Sequence, residues 1–314
     1  MRRRVLFLAA GLVLLTPYLC QAASEAVALL TEIRAGQGEV RVKLMGEADW
    51  KAPLPLLSLR AGDQLRATQN AAAVVLFTGG QGTVTITPGN SPYTVQPPAG
   101  AASRESPPIV GTLSRILMGK KKDLNYVPLT TRSAKQPPLA LSPRGGKLLG
   151  PPTLEWSGSD RARYAVRVFG PQGLLWQQSD LSRRPLPYPA SAPALSPGVA
   201  YRWELETKDF PVEKGQFSLL APREVADVRQ TLASLVPAVL PGYPKNTIVL
   251  MRAGFLLDKE LLAEARQELL SALARDPDEP GLHLMLGEVY EQTGLPGLAG
   301  EEFDEAQFLS SKTP

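Results

Sequence analysis

Two periodicities divide the chain, and the change between them falls near residue 221. Before that point, apolar and polar residues alternate with a period of two in short runs such as "EVRVKL", "AAVVLF" and "TVTIT", which is typical of half-buried strands. Glycine and proline residues separate these runs and predict turns. From residue 224 onward the apolar positions recur at helical spacing. The pattern predicts a multidomain protein that is mainly β, followed by a C-terminal α-helical repeat.

The first residues form a different kind of segment. "MRRR" is followed by an apolar run of 11 residues and then by the small-residue stretch "CQAA". This order predicts a signal peptide over residues 1–22, cleaved near Ala22, and hence a periplasmic location. The run is shorter than the roughly 20 residues of a membrane span, although an uncleaved anchor is the alternative. Tyr18 and Leu19 are too large for lipoprotein processing at Cys20, so the mature chain is predicted to contain no cysteine.

The composition fits folded domains and argues against one class of partner. Hydrophobic residues make up 44% and charged residues 20%, an ordinary balance for globular modules. Removing the signal peptide takes away three arginines and lowers the net charge from +4 to +1. We therefore expect no nucleic-acid partner. No second apolar run reaches spanning length, so we also expect no membrane span in the mature chain.

Residues 27–97 are predicted to form one small β domain. "AGD" at 61–63 suits a tight turn in which Gly62 takes positive φ and the Asp63 carboxylate binds nearby backbone N–H groups. The segment resembles the FecR-type periplasmic domain, although Ala67 displaces the threonine expected after "LR". The residues that carry this resemblance are Gly38–Val40, Trp50, Leu57–Leu59, Gly62, Asp63, Leu65, Arg66, Thr68, Ala71–Ala73, Val74–Phe77, Gly79 and Gly80.

Residues 98–137 are predicted to be a linker that contains one candidate short helix. "PPAGAASRESPP" is rich in Pro, Ala and Ser, a composition typical of extended linkers. The helix is indicated by the spacing of Ile109, Leu113, Ile116 and Leu117, followed by a run of three lysines at 120–122. It would either pack on a neighbouring domain, which we favour, or contact a partner or an anionic surface.

Residues 138–221 are predicted to form a β-sandwich. "PTLEW", "RYAVRVF", "GLLWQQ", "YRWELE" and "GQFSLL" read as strands separated by turn residues. Pro152–Trp156, Tyr164–Val168 and "LSPGVAYRWELE" resemble fibronectin type III and related immunoglobulin-like modules. Trp156 and Trp203 are expected in the core. Trp176 is expected to pack on an edge strand, with carbohydrate stacking as the alternative.

Residues 224–314 resemble tetratricopeptide repeats, in two copies at about 246–279 and 280–313. The second copy carries the pattern at Leu286, Gly287, Tyr290, Gly294, Ala299, Phe303 and Ala306, and the first at Leu256, Ala265, Leu269, Ala272 and Pro277. Small residues in this family let paired helices approach closely. The first copy departs from the pattern at Arg252, Ala253 and Glu260. "EVADVRQTLASL" is expected to be a further helix that caps the array.

The sequence shows no arrangement of catalytic residue types that is typical of an enzyme. His283 is the sole histidine and is expected at a solvent-facing or groove position, and no phosphate-binding loop motif occurs. The usual zinc, haem and serine-hydrolase arrangements therefore lack their residues. A glycosidase needs only two suitably placed carboxyl groups, so the sequence does not exclude that class of enzyme. We predict no catalytic, cofactor-binding or metal residues, and we expect a solvated acidic face made by Glu301, Glu302, Asp304 and Glu305.

These observations predict an exported, non-catalytic envelope protein that acts as a protein-binding scaffold or adaptor. The resemblance to tetratricopeptide repeats implies that the helical arm binds envelope proteins. Two alternatives are a FecR-like signalling or regulatory component and a structural protein that binds cell-wall glycan through its β modules. Only "MRRR" precedes the apolar run, which disfavours the signalling alternative because that role needs a cytoplasmic segment.

Overall fold

The computed structural model describes residues 26–78, 82–96 and 137–311. Within these ranges the chain forms β-sheets up to residue 219 and five helices from residue 222 onward, so the predicted change from β to α is confirmed. The predicted signal peptide and the candidate helix of the 98–137 linker lie outside the described residues.

The first β unit, residues 26–78 and 82–96, consists of two antiparallel sheets around one apolar core. The sheets have the strand orders β3-β1-β5-β6 and β2-β4-β7. Its strands are β1 (Ala28–Arg34), β2 (Val40–Lys43), β3 (Ser58–Leu59), β4 (Gln64–Ala67), β5 (Ala72–Phe77), β6 (Thr83–Ile86) and β7 (Tyr93–Thr94), with one 3-10 turn at Pro88–Asn90.

Strand β1 is buried on both of its faces. Leu30 and Ile33 point into the core of the first β unit, whereas Leu29 packs against helices from the end of the chain. The register between β1 and β5 shifts between Leu30 and Glu32, which leaves Thr31 as an extra, bulged residue. Because one extra residue exchanges the two faces of a strand, the bulge lets Glu32 face the helices while Ile33 returns to the core.

The second β unit, residues 137–219, is a pair of sheets that enclose another core. The sheets have the orders β13-β10-β8 and β12-β11-β14-β15-β9, in which β9 alone runs parallel to its neighbour. Its strands are β8 (Ala140–Ser142), β9 (Lys147–Leu148), β10 (Thr153–Trp156), β11 (Tyr164–Gly170), β12 (Gly173–Leu181), β13 (Leu186–Pro187), β14 (Tyr201–Thr207) and β15 (Glu213–Leu219).

Two tryptophans lie in the core of the second β unit, as the sequence predicts. Trp156 and Trp203 are both buried, and the Trp203 indole N–H donates to the Pro143 carbonyl at 2.7 Å. A Cβ at Gly215 would lie 2.1 Å from Nε1 of Trp203. The tryptophan therefore fits only because glycine occupies the facing strand position.

The helical unit, residues 222–311, contains one leading helix and two helical hairpins. In the hairpins, the first helices begin 35 residues apart and the second helices 34 residues apart. The helices are α1 (Pro222–Ser234), α2 (Lys245–Asp258), α3 (Leu262–Leu273), α4 (Pro280–Gln292) and α5 (Pro296–Ser311).

A glycine sets the close packing of α4 on α5. A Cβ at Gly287 would lie 2.3 Å from Cε1 of Phe303 and 2.5 Å from Cδ1, so the phenyl ring occupies the space that a side chain would need. At the corresponding position of α2, Ala253 is fully buried. Small residues thus line both hairpins where the helices approach.

Two of the three positions at which the first hairpin departs from the repeat pattern, Arg252 and Glu260, bind neighbouring elements. Arg252 donates to the Leu232 and Leu235 carbonyls at the C-terminal end of α1 and pairs with Glu268, so it fixes the leading helix to α2. Glu260 adopts φ +60°, the left-handed conformation that Gly294 has at φ +71° in the second hairpin. Its carbonyl accepts a hydrogen bond from Lys147 N at 2.8 Å, which ties the hairpin turn to β9.

The helical unit contacts both β units. Leu29, Leu56 and Leu76 of the first β unit belong to the same buried cluster as the cores of α2 and α4. On the second β unit, Glu155 pairs with Arg266 of α3 at 2.7 Å. The Arg144 side chain also donates to the carbonyl of Thr293, just after α4, at 3.0 Å. The helices therefore join the two β units.

Replacing Gly287 with alanine should destabilise the chain by about 1–3 kcal/mol, because the added methyl group collides with the Phe303 ring. Gly297→Ala is the matched control, since no atom outside its immediate neighbourhood lies within 4 Å of the new Cβ. In a helix this control change should be neutral or stabilising by up to about 1 kcal/mol. Urea unfolding followed by circular dichroism measures both. Equal effects of the two substitutions would contradict the proposed packing of α4 on α5.

Candidate functional site

The contact between β1 and the helical unit contains two buried carboxylates. The Glu32 side chain is 0% exposed, and its Oε1 accepts hydrogen bonds from Thr247 N at 2.9 Å and from Thr247 Oγ1 at 2.8 Å. Its other oxygen pairs with Arg34, and the Thr31 and Thr247 hydroxyl groups lie 2.9 Å apart. Because Thr247 lies in the first turn of α2, Glu32 satisfies a backbone donor and complements the positive end of the helix dipole.

Glu279 performs the reciprocal role at α4. Its Oε1 accepts from Ile33 N of β1 at 3.2 Å and from Gly281 N of α4 at 3.4 Å. Burial raises the pKa of Glu279 to about 8, and the negative charge of Glu32 adds to the increase. A Cβ at Gly281 would lie 3.0 Å from the Thr31 carbonyl oxygen, so the strand and the helix backbone are close together here.

Two buried carboxyl groups, of which Glu279 has a raised pKa, are also a feature of active sites, but the lack of access argues against that function here. Glu32 and Glu279 are 0% and 2% exposed, and both are hydrogen-bonded to backbone N–H groups of packed elements. A substrate could not reach them without separation of the first β unit from the helices. We therefore assign this carboxylate pair to the joining of the two units.

The environment of His283 differs from the expected solvent-facing or groove position. Its side chain is largely buried, with Nδ1 2.7 Å from Oε2 of Glu302 and Nε2 2.8 Å from the Pro277 carbonyl oxygen. Partial burial lowers its pKa, but the hydrogen bonds to Glu302 and to Pro277 outweigh this effect and raise the pKa overall. The ring thus links α4 to α5. Glu302 is accordingly not part of the solvated acidic face, whereas Glu301, Asp304 and Glu305 are exposed.

Asp63 has the turn-forming position that the sequence predicts. It is buried, its Oδ1 accepts from Met45 N at 2.8 Å, and its Oδ2 accepts from Arg60 N at 2.7 Å. The preceding Gly62 has φ +94°. Because both carboxylate oxygens are bound by backbone donors, Asp63 stabilises a loop crossing in the first β unit.

An open cleft of about 490 Å³ lies at the side of the second β unit, between the edge strands β12 and β13. Arg163 and Asp180 form an exposed ion pair at its rim, with Nε and Oδ1 3.2 Å apart. Arg184 also lines the cleft, and its Nε donates to Ser182 Oγ at 3.0 Å. Trp156 contributes to the lining, and its indole N–H is buried without a hydrogen-bond partner among the described residues.

Trp176 lies on the edge strand β12 and packs against Tyr188, in agreement with the expected edge-strand position. It is half-buried and meets Tyr188 edge-on, with the ring centroids 5.8 Å apart. A ring held in this way offers less free face for stacking on a sugar than an exposed tryptophan would.

The described ranges contain neither a metal-ligand cluster nor a membrane-spanning helix. No group of three or more His, Cys, Asp or Glu side chains there is placed to hold a metal ion. No described helix is both long and apolar enough to cross a bilayer.

Comparison with known proteins adds no family assignment. No protein-family model matches the chain, and no curated protein sequence is significantly similar to it.

The sequence carries a local signal for each side of the contact between β1 and α4. "AVALL" before Thr31 is a continuous apolar run, which is typical of a strand covered on both faces. Glu279 directly precedes Pro280 at the start of a helix, where an acceptor side chain is common. Neither signal indicates that the two segments meet, because their contact depends on tertiary packing.

Replacing Glu279 with glutamine should flatten the pH dependence of stability. The folded-state pKa of about 8 lies above the unfolded value of 4.5, so between these pH values the folded chain holds a proton that the unfolded chain has released. Stability of the wild type should therefore fall as pH rises through this window, by roughly 3–4 kcal/mol. Glutamine keeps the acceptor oxygen without this titration.

The free energy of unfolding at pH 5 and at pH 8 measures the effect. Glu264 and His283, whose pKa values are also raised in the folded chain, should leave a residual decrease in the variant. Glu301→Gln, which changes an exposed carboxylate on α5, should retain the full wild-type decrease. The interpretation fails if Glu279→Gln and the wild type lose the same stability between the two pH values.

Proposed function

We propose that this protein is an exported, non-catalytic scaffold of the bacterial envelope that binds other envelope proteins. In this proposal residues 27–97 are a FecR-like domain, residues 138–221 an immunoglobulin or fibronectin type III-like module, and residues 224–314 tetratricopeptide-like repeats. Two small sheets around one core, a sandwich with a central tryptophan, and hairpins spaced by 34–35 residues are compatible with these assignments.

The observation that carries the proposal is the joining of both β units to the helical unit. Buried carboxylates and a common apolar cluster hold β1 on α2 and α4, while Arg266 and Glu264 of α3 hold the second β unit. The result is one platform whose parts keep fixed positions. Such a platform is suited to presenting surfaces to partners, because little conformational entropy is lost on binding.

The same contacts limit which surfaces of the helical unit are available to a partner. The N-terminal ends of α2 and α4 are covered by β1, so they are not available to a partner. The exposed face of α5, with Glu301, Asp304 and Glu305, remains accessible. We place envelope partners of the helical arm on that face.

The proposal of export is supported by the signal-peptide pattern of residues 1–22.

Photo-crosslinking in intact cells tests the scaffold function. A photoreactive amino acid is introduced into the full chain at Glu305 on α5, at Gln177 on β12, or at Arg229 on α1, all of which are exposed. We expect at least one position to capture a defined envelope protein.

A second measurement tests export. The intact mass of the chain purified from the periplasm should show the loss of about 22 residues.

The matched control is the same chain without residues 1–22, which should remain inside the cell and lose the captured partner. Absence of protein adducts at all three positions would contradict the scaffold function. Retention of the leader in the membrane fraction would contradict the proposed location.

A further inference from the structure

The longest strand among the described residues lies at the edge of a sheet. Strand β12 has nine residues and pairs with β11 on one side only, within the described ranges. The other edge strands there have two to four residues. On the opposite edge of the same sheet, β9 is covered, because Lys147 N donates to the Glu260 carbonyl of the helical unit.

Strand β12 lacks most of the features that protect an edge. Its sequence "GLLWQQSDL" contains no lysine or proline, and most of its side chains are exposed, including Leu174 at 51%. Its local irregularities are two register shifts against β11 and the positive φ of its first residue, Gly173, and of Asp180 near its other end. A long edge with free backbone donors and acceptors is a template for another strand, which natural proteins normally blunt.

Positive charge lies beside this edge. Arg163 and Arg184 line the cleft between β12 and β13, and Arg183 directly precedes Arg184 in the segment that follows β12. Arg163 and Arg183 are paired with Asp180 and Asp160 through exposed contacts, whereas Arg184 has no acidic partner among the described residues. Exposed ion pairs are weak and readily exchange partners. The end of the edge is therefore complementary to an acidic ligand.

We infer that the outer edge of β12 and the adjoining cleft bind an extended acidic peptide, which adds to the five-stranded sheet as a further strand. The peptide backbone would pair with β12, and a carboxylate side chain would lie against Arg184. This inference rests on the proposed scaffold function and names one of its binding surfaces. A peptide fits better than a glycan because only a peptide repeats N–H and C=O groups at the spacing of a strand.

Three synthetic peptides test the inference on the full mature chain. The first is a blocked nine-residue peptide that alternates valine and glutamate. The second replaces each glutamate with lysine. The third keeps the glutamates but replaces the valines with proline, so its charge is unchanged while its ability to join a sheet is lost. Fluorescence anisotropy gives the affinities, and hydrogen exchange locates the protected amides.

We expect the acidic strand peptide to bind about tenfold more tightly than the lysine peptide and to slow exchange within residues 173–181. The proline peptide should not protect these amides. Arg184→Glu should weaken binding of the acidic peptide by about tenfold, whereas Arg229→Glu, at an exposed arginine of α1, should leave it unchanged. Both substitutions are on the surface, so folding is retained in each.

Four results would overturn the inference. They are equal binding of the proline and strand peptides, protection that lies only outside residues 173–186, binding of a soluble cell-wall glycan fragment but of no peptide, and concentration-dependent pairing of β12 with a second copy of the chain. Crosslinks from Glu305 would still support the scaffold function in each of these cases, so its failure and the failure of this inference are distinguishable.

Discussion

The structure depends on the burial of β1 between two layers. A strand covered on both faces must satisfy every polar group that it carries, since neither face reaches water. β1 nevertheless contains Thr31 and Glu32, and the helical unit supplies their partners through Thr247. The exchange is reciprocal, because Glu279 at the start of α4 accepts from Ile33 N of the strand. The first β unit and the helices thus complete each other's hydrogen bonds.

Several local features follow from this contact. The bulge at Thr31 turns Glu32 toward the helices, and Gly281 leaves space for the strand backbone. The apolar part of the interface joins Leu29 and Leu76 to Leu250 in one cluster. Removal of the helical unit would expose these leucines to water and take from Glu32 the two donors that Thr247 supplies. Residues far apart in the sequence therefore form a single folded body.

Much of the β architecture could be predicted from the sequence, because strand periodicity is a local property. The runs "AAVVLF" at 72–77 and "YRWELE" at 201–206 predict strands and lie in β5 and β14, and both tryptophans predicted in the core are buried there. Helical periodicity located the C-terminal hairpins for the same reason. Residues whose environment is made by a distant segment were not predictable. From its local sequence Glu32 is expected to face solvent, because its partner Thr247 is 215 residues away in the chain. His283 is expected in a groove, because its contact with Glu302 depends on how α4 packs on α5.

Native-state hydrogen exchange in increasing urea tests most directly whether β1 and the helices form one unit. If the account is correct, the amides of β1, β5, α2 and α4 open in a single step, with the same free energy and the same dependence on urea. Opening of α2 and α4 at lower urea while β1 and β5 stay protected would contradict it, because the helices would then be an appendage of an independent β domain.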